Sequence, residues 1–242
     1  YKNSISIKEQ NYIKSELSVK PYVPKSSINT AIEFPVYRES DQKLYVPRFF
    51  GETLYGKPNL VKIKPGLDIS LNFTGKLMEF QTPIIDAYLN KAYSTGGGLL
   101  EVGCGCGKTV MALYIISALK RKTLVMVHKE FLLEQWVERI NQFLPNAKIG
   151  RMQGQIVDTD DKDIVIGMIQ SLSKKTYPQS ILDEFGLTII DETHHIAAEV
   201  FSNSLFQIVT PYMLGLSATM NRKDGLSKVF KMFLGDVAYK YK

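Results

Sequence analysis

The most restrictive stretch of this chain is Val102-Gly103-Cys104-Gly105-Cys106-Gly107-Lys108-Thr109, which separates two apolar runs of different period. Before it, Gly98-Leu99-Leu100-Glu101-Val102 is short and apolar and reads as a buried strand. After it, Val110 to Leu119 carries apolar residues at helical spacing. A strand that turns through three glycines directly into a helix is the P-loop arrangement. Glycine tolerates the backbone conformations that aim successive N–H groups inward around phosphate oxygens, and the helix start adds positive potential there. Lys108 can then reach the β- and γ-phosphates of a nucleoside triphosphate, and the Thr109 hydroxyl can ligate Mg²⁺. The strict pattern begins with glycine where this chain has Val102, so a glycine turn that binds nothing is the competing reading.

A second run narrows the choice. Leu187-Thr188-Ile189-Ile190 is β-branched and ends in Asp191-Glu192-Thr193-His194. Carboxylates at the C-terminal edge of a parallel strand stand where open α/β sheets place their ligands. There Asp191 can hold Mg²⁺ through water, and Glu192 can polarise the water that attacks the γ-phosphate. Taken alone, the pair would also suit a solvated helix start. Following a P-loop, it points to nucleotide hydrolysis.

Together these segments resemble the first RecA-like lobe of a superfamily 2 helicase of the DExH type. The motifs occur in the family's order. Leu77-Met78-Glu79-Phe80-Gln81 resembles the adenine-sensing Q-type element. Thr123 to Lys129, followed by Leu133-Glu134-Gln135-Trp136, resembles motif Ia and its helix. Asp163 to Leu172 resembles the segment before motif II, Asp191 to His195 motif II itself, and Leu216-Ser217-Ala218-Thr219 motif III. The extension Arg222-Lys223-Asp224-Gly225-Leu226 narrows the likeness to the branch of the xeroderma pigmentosum group B helicases and the transcript-release helicases of poxviruses and other large DNA viruses. The likeness covers about residues 70–242. The chain departs from it at His128-Lys129, Met168 and Met220.

The resemblance implies ATP and Mg²⁺ as cofactors. Gln81 would meet the adenine edge with Phe80 packed nearby. Gly103, Cys104, Gly105, Cys106, Gly107, Lys108 and Thr109 would hold the phosphates. Asp191, Glu192 and His194 would act from motif II, and Ser217 and Thr219 would relay the γ-phosphate state. Nucleic acid, DNA rather than RNA, is expected across the opposite edge from the nucleotide, on His128, Lys129, Gly154, Gln170 and Ser171. Lys129 reads equally as a solvated helix-start charge. A second RecA-like lobe of the same full-length protein would complete the ATP site. The chain does not begin with Met and shows no second set of strands after Tyr239, so on its own it is expected to hydrolyse ATP negligibly.

Bulk composition supports a polyanion partner. The chain has 242 residues, 45% hydrophobic, with a net charge of +6. Residues 1–70 hold 11 Lys and Arg against 7 Asp and Glu, and no basic amphipathic helix is apparent there to favour a membrane. No apolar run approaches the ~20 residues of a membrane-spanning helix. Both cysteines lie in the glycine loop, which makes a structural zinc site improbable and favours a reducing, intracellular setting. The resemblance adds a viral factory or virion.

The fold expected is α/β, a RecA-like P-loop domain with a mostly parallel central sheet over residues 71–242, preceded by a small β-rich accessory domain over residues 1–70. Ala31 to Arg38 and Lys43 to Arg48 read as a hairpin whose prolines, Pro35 and Pro47, confine it to edge positions. Lys64-Pro65-Gly66 reads as the joint. Tyrosines and arginines of this region would stack on bases or pack as ordinary strand aromatics. Strands are expected near 98–102, 123–127, 147–151, 163–167, 187–191 and 213–217. Helices are expected near 77–93, 107–120, 129–143, 170–175, 195–208 and 224–233. Trp136 falls among Phe131, Leu132 and Ile140 in helical spacing and reads as core. Functionally, a helicase, a double-stranded DNA translocase without strand separation, and an ATP-switched binding module share these motifs.

Overall fold

A computed structural model describes residues 1–22, 32–219 and 226–242, the His194 side chain excepted. Met220, the Arg222-Lys223-Asp224-Gly225 element and Ala31 lie outside the described residues. From the N-terminus come α1 (Ile7–Glu16), β1 (Ser18–Val19), β2 (Phe34–Pro35), β3 (Arg38–Glu39), β4 (Leu44–Tyr45) and α2 (Arg48–Tyr55). Helix and strand then alternate through α3 (Gln81–Thr95), β5 (Gly97–Val102), α4 (Lys108–Leu119), β6 (Thr123–Val127) and α5 (Glu130–Phe143). Next are β7 (Ile149–Gln153), β8 (Ile156–Asp158), β9 (Ile164–Met168), α6 (Ile169–Lys174), α7 (Gln179–Leu182) and β10 (Leu187–Ile190). The chain closes with α8 (Ala198–Leu205), β11 (Tyr212–Ser217), α9 (Ser227–Leu234) and β12 (Val237–Tyr241).

Eight strands form one sheet in the order β12-β5-β11-β10-β6-β9-β7-β8. Every neighbouring pair is parallel except β7 with β8. The side-chain period of two splits the central strands between two cores. Leu99, Leu124, Met126, Ile190 and Met213 face one core. Leu100, Val125, Val127, Ile189 and Leu214 face the other, beneath α3, α4 and α5. Strands covered on both faces lose the apolar–polar alternation of half-exposed strands, which is why Leu187–Ile190 is apolar or β-branched throughout and fully buried.

The first seventy residues differ from expectation. Among the described residues they are not β-rich: the strands are two residues long, whereas α1 has 10 residues and α2 has 8. The expected hairpin survives only as β3 against β4. Helix α1 buries Ile13 alone, so it carries no apolar stripe for periodicity to find. Pro47, read as a strand-edge signal, is instead the N-cap of α2. Nor does the segment have a separate core, because Ile13, Leu17, Val19, Phe34, Val36 and Phe49 join the cluster of Phe201, Met213 and Phe230. Arg48 fastens α2 to the lobe by donating to the carbonyls of Thr95 at 3.0 Å and Pro211 at 3.1 Å. The guanidinium of Arg38 lies 4.9 Å from the centre of the Phe206 ring. These arginines serve packing.

The Lys64-Pro65-Gly66 joint is pinned along the sheet's N-terminal edge. Leu67 N–H donates to the Glu184 carbonyl at 2.8 Å, and Lys122 N–H donates to the Leu67 carbonyl at 2.8 Å. Gly66 has φ +75°, and a Cβ there would meet the Gly186 nitrogen at 2.2 Å. Only glycine allows the two backbones to approach this closely. Among the described residues no helix is long and apolar enough to cross a membrane.

Candidate active site

In a parallel sheet every loop that follows a strand emerges at the same edge. The glycine loop follows β5, motif II follows β10, and the Ser217–Thr219 turn follows β11, so order within the sheet brings them side by side. Gly105 and Gly107 both have positive φ, +78° and +77°. Within Gly103–Thr109, the Gly103 N–H donates to Tyr241 O at 3.2 Å and the Cys106 N–H to Gly103 O at 3.4 Å. The N–H groups of Cys104, Gly105, Gly107, Lys108 and Thr109 donate to no carbonyl among the described residues. Five unspent donors at a helix start fit a chain of phosphate oxygens. The oxygen donors of Thr109 and Asp191 are of the hard type Mg²⁺ prefers.

Lys108 is buried at the loop–helix junction. Its ammonium lies 3.4 Å from the Val102 carbonyl and 3.4 Å from Glu192 Oε1, bridging the loop and motif II. Asp191 is only 5% exposed. Its Oδ2 accepts from Trp136 Nε1 at 2.8 Å and its Oδ1 from the Glu192 N–H at 2.9 Å. Burial pushes the Asp191 carboxyl above its usual range. The Glu192 charge adds to the rise, and the Trp136 hydrogen bond, the Glu192 N–H and the Lys108 charge oppose it. Glu192 stands in the left-handed region at φ +51°, an unfavourable backbone for a residue with a Cβ, and caps the 3₁₀ turn Thr193–His195. Expected helix 195–208 is therefore divided into this turn and α8. The His194 side chain lies outside the described residues.

Trp136 is the residue whose role the sequence reading missed. Its burial was legible, at 1% exposed. A buried indole must still find an acceptor for its one N–H, and that need is the signal that could have flagged a polar partner.

Gln81 is 2% exposed at the start of α3. Its Nε2 donates to the Cys106 carbonyl at 3.0 Å and its Oε1 accepts from the Met78 N–H at 3.0 Å. A Cβ at Gly107 would lie 2.5 Å from that Nε2. Gln81 thus braces the glycine loop directly. The turn it makes with Met78 also explains why α3 starts at Gln81 rather than near 77. Phe80 stacks on Tyr241, ring centres 4.8 Å apart and 12° from parallel. Ser217 Oγ donates to the Thr219 carbonyl and accepts from the Thr219 N–H, a compact turn at the end of β11. Cys104 is exposed and Cys106 half-buried, both as free thiols.

The candidate nucleic-acid residues lie at this same edge, not the opposite one, because β6, β9 and β7 run parallel to β10. Gln170 Nε2 donates to the His128 carbonyl at 2.8 Å, and Ser171 Oγ accepts from the Gly154 N–H at 3.0 Å. Lys175 donates to the Gly154 carbonyl. Lys129 is exposed, its ammonium 5.7 Å from the centre of the exposed Phe131 ring. The five residues form a polar strip beside the nucleotide site.

A glycine loop with spare N–H donors, its lysine against the half-buried Glu192 beside a buried Asp191, and an all-parallel sheet centre define a P-loop nucleotide-binding lobe of the superfamily 2 helicase class. The chain belongs to the family described as type III restriction enzyme, res subunit, whose profile matches residues 74–222. It is 36% identical over 247 residues to a provisionally named ATP-dependent RNA helicase of Acanthamoeba polyphaga mimivirus, covering 98% of this chain and 47% of that protein. It is 32% identical over 165 residues to the DNA 3'-5' translocase XPB2 of Sulfurisphaera tokodaii, covering 68% of this chain and 36% of the relative. The chain thus spans about half the length, or less, of these relatives. Among solved structures, the UvsW helicase of bacteriophage T4 aligns with a TM-score of 0.66 at 14% identity, covering 97% of this chain and 94% of that one. The Sulfolobus solfataricus SWI2/SNF2 ATPase core with double-stranded DNA aligns with a TM-score of 0.58 at 18% identity, covering 73% and 38%. At these identities the structures speak for the fold alone.

Proposed function

We propose that this chain is the first motor lobe of an ATP-dependent enzyme that moves along or separates nucleic acid, DNA in preference to RNA. The observation that carries the reading is the contact between Lys108 and Glu192, 3.4 Å apart on the segments that follow two parallel strands, β5 and β10. The family it belongs to implies ATP use. When bound, ATP with Mg²⁺ supplies the phosphoanhydride whose hydrolysis drives movement. The five loop N–H groups and Lys108 bind and orient the phosphates, and Lys108 carries charge to the γ-phosphate, where negative charge develops in the transition state. Thr109 and Asp191 hold the metal side of the site. Asp191 is kept fixed by Trp136 and by the Glu192 N–H. Glu192 accepts the proton of the attacking water at its carboxylate. The Ser217–Thr219 turn, on the strand between β5 and β10, relays phosphate state to the second RecA-like lobe of the whole protein, which supplies the remaining transition-state charge.

The strip His128, Lys129, Gly154, Gln170 and Ser171 takes the track through its phosphates: Lys129 and the Ser171 hydroxyl suit phosphate contact, and the Gln170 amide N–H, which could otherwise read a base edge, is spent on the His128 carbonyl. The DNA translocase relative supports DNA, and the mimivirus relative named for RNA makes RNA the second track to test. The resemblance to xeroderma pigmentosum group B-type and viral transcript-release helicases supports work in transcription or repair, and the mimivirus relative supports a setting inside an infected cell.

Nucleic-acid-stimulated ATPase and strand-displacement assays on the whole protein test this reading, with Lys108→Ala as the control. Stimulated hydrolysis that Lys108→Ala reduces at least a thousandfold is expected. Displacement separates helicase from translocase. Near wild-type turnover in Lys108→Ala would remove the P-loop assignment.

A further inference from the structure

The N-terminal segment creates a cleft that neither the motor site nor the phosphate strip uses. It has a volume of about 470 Å³ and lies where α2, the end of α3 and α9 meet. The C-termini of α3 and α9 lead straight into β5 and β12, so the cleft opens at the sheet's N-terminal edge. Helix α3 spans the distance between the two sites. Gln81 at its start touches the glycine loop and Thr95 at its end lines the cleft, which at 1.5 Å per residue places them roughly 20 Å apart.

Four lysines line this cleft: Lys57 after α2, Lys91 on α3, and Lys228 and Lys231 on α9. None of the four is ion-paired among the described residues, although the chain elsewhere pairs Lys2, Lys14, Lys148 and Lys240 with carboxylates. Of the two carboxylates lining the cleft, Glu52 is held by Arg48 at 3.0 Å, which leaves Asp236. Three helix C-termini also point partial negative charge here, about half a unit each. That explains a basic residue in a last turn, but only Lys231 occupies one. The lysines exceed both sources, and the cleft is net positive. Its remaining lining is Phe49, Phe50, Met232, two threonines and glycines. It includes no Arg, Asn or Gln that could read a base edge.

We propose that this cleft binds the phosphodiester backbone of nucleic acid, without sequence preference, as a second anchor on the side of the lobe away from the nucleotide. The choice of nucleic acid over another polyanion rests on the motor reading above. The site itself rests on the four unpaired lysines. It belongs to neither the N-terminal segment nor the lobe alone, and it exists because the two share one core.

The test is duplex binding by this chain, followed by anisotropy as salt rises, for wild type and Lys228→Gln/Lys231→Gln. Each phosphate neutralised contributes about 0.9 to the slope of log affinity against log salt. The double variant is expected to lose about 2 from the slope and to bind roughly ten- to hundredfold more weakly near 0.1 M salt. Both side chains are exposed, so melting should be unchanged. Lys57→Gln/Lys91→Gln, on the other wall, should reproduce the loss. Wild-type slopes in both variants would overturn the proposal. So would a cleft-dependent response to tripolyphosphate or to a polyglutamate peptide with none to duplex. ATP hydrolysis in the whole protein reports on the motor reading separately. A lost slope with no hydrolysis would keep the cleft and remove the motor, and hydrolysis with an unchanged slope would do the reverse.

Discussion

Asp191 and Lys129 stand just past the ends of neighbouring parallel strands, β10 and β6, in opposite surroundings. Asp191 is 5% exposed and both its oxygens are held by donors. Lys129 is exposed, its ammonium over the phenyl ring of Phe131. The same contrast runs along the edge. On the nucleotide side Gln81, Lys108 and Asp191 are buried, whereas on the strip Gly154 has nothing within 4 Å of where a Cβ would stand. Charge that must stabilise a transition state works best fixed in advance and shielded from water. Contacts to a moving, sequence-varied track need reach and easy release. One sheet edge supplies both because parallel topology delivers every post-strand loop to it, and helix packing decides which loops are covered.

That contrast is open to direct tests. The larger effect is expected on the buried side. Trp136→Phe removes the donor to Asp191 and leaves a buried carboxylate oxygen short of a partner, a loss of about 1–3 kcal/mol. Turnover should fall roughly tenfold or more, and the Mg²⁺ needed for half activity should rise. The pH dependence should move as well. Folding raises the Asp191 pKa, so its favourable contribution to stability is complete below the ordinary carboxylate pKa and fades as pH rises through the raised value. Removing the Trp136 hydrogen bond, which lowers that pKa, should carry the acid limb of activity to higher pH. An unmoved acid limb in the pH–rate profile would show that the bond does not tune Asp191.

The smaller effect belongs to the strip. Lys129→Ala should weaken nucleic-acid binding only a few-fold and reduce its salt slope by about 1, leaving unstimulated hydrolysis at the wild-type rate. Loss of basal hydrolysis would show that the two sides of the edge are not separable.

Much of this arrangement was legible in the chain. The strands at 123–127, 187–190 and 212–217 were readable because runs covered on both faces stay apolar or β-branched throughout. The glycine loop and Asp191-Glu192 were readable because phosphate chemistry restricts which residues can serve. What escaped depended on contacts distant in sequence. Helix α1 buries one residue, so its local mark is the Ser6 cap on the Glu9 N–H rather than an apolar stripe, and the proline that opens α2 read as a strand-edge signal instead. The Trp136–Asp191 hydrogen bond spans 55 residues. The placement of the strip on the nucleotide edge follows from strand direction, which no single segment encodes. The lysine cleft draws its wall from both ends of the chain.

The central claim is that Glu192 is the proton acceptor in a site whose binding groups are separate from it. Glu192→Gln tests this most directly, by ATP affinity and single-turnover hydrolysis measured on the same preparation of the whole protein. The amide keeps the shape and removes the basic oxygen. Affinity for ATP and Mg²⁺ should therefore stay near wild type while hydrolysis slows roughly 10²-fold or more. Hydrolysis at the wild-type rate, or loss of ATP affinity in its place, would contradict the assignment.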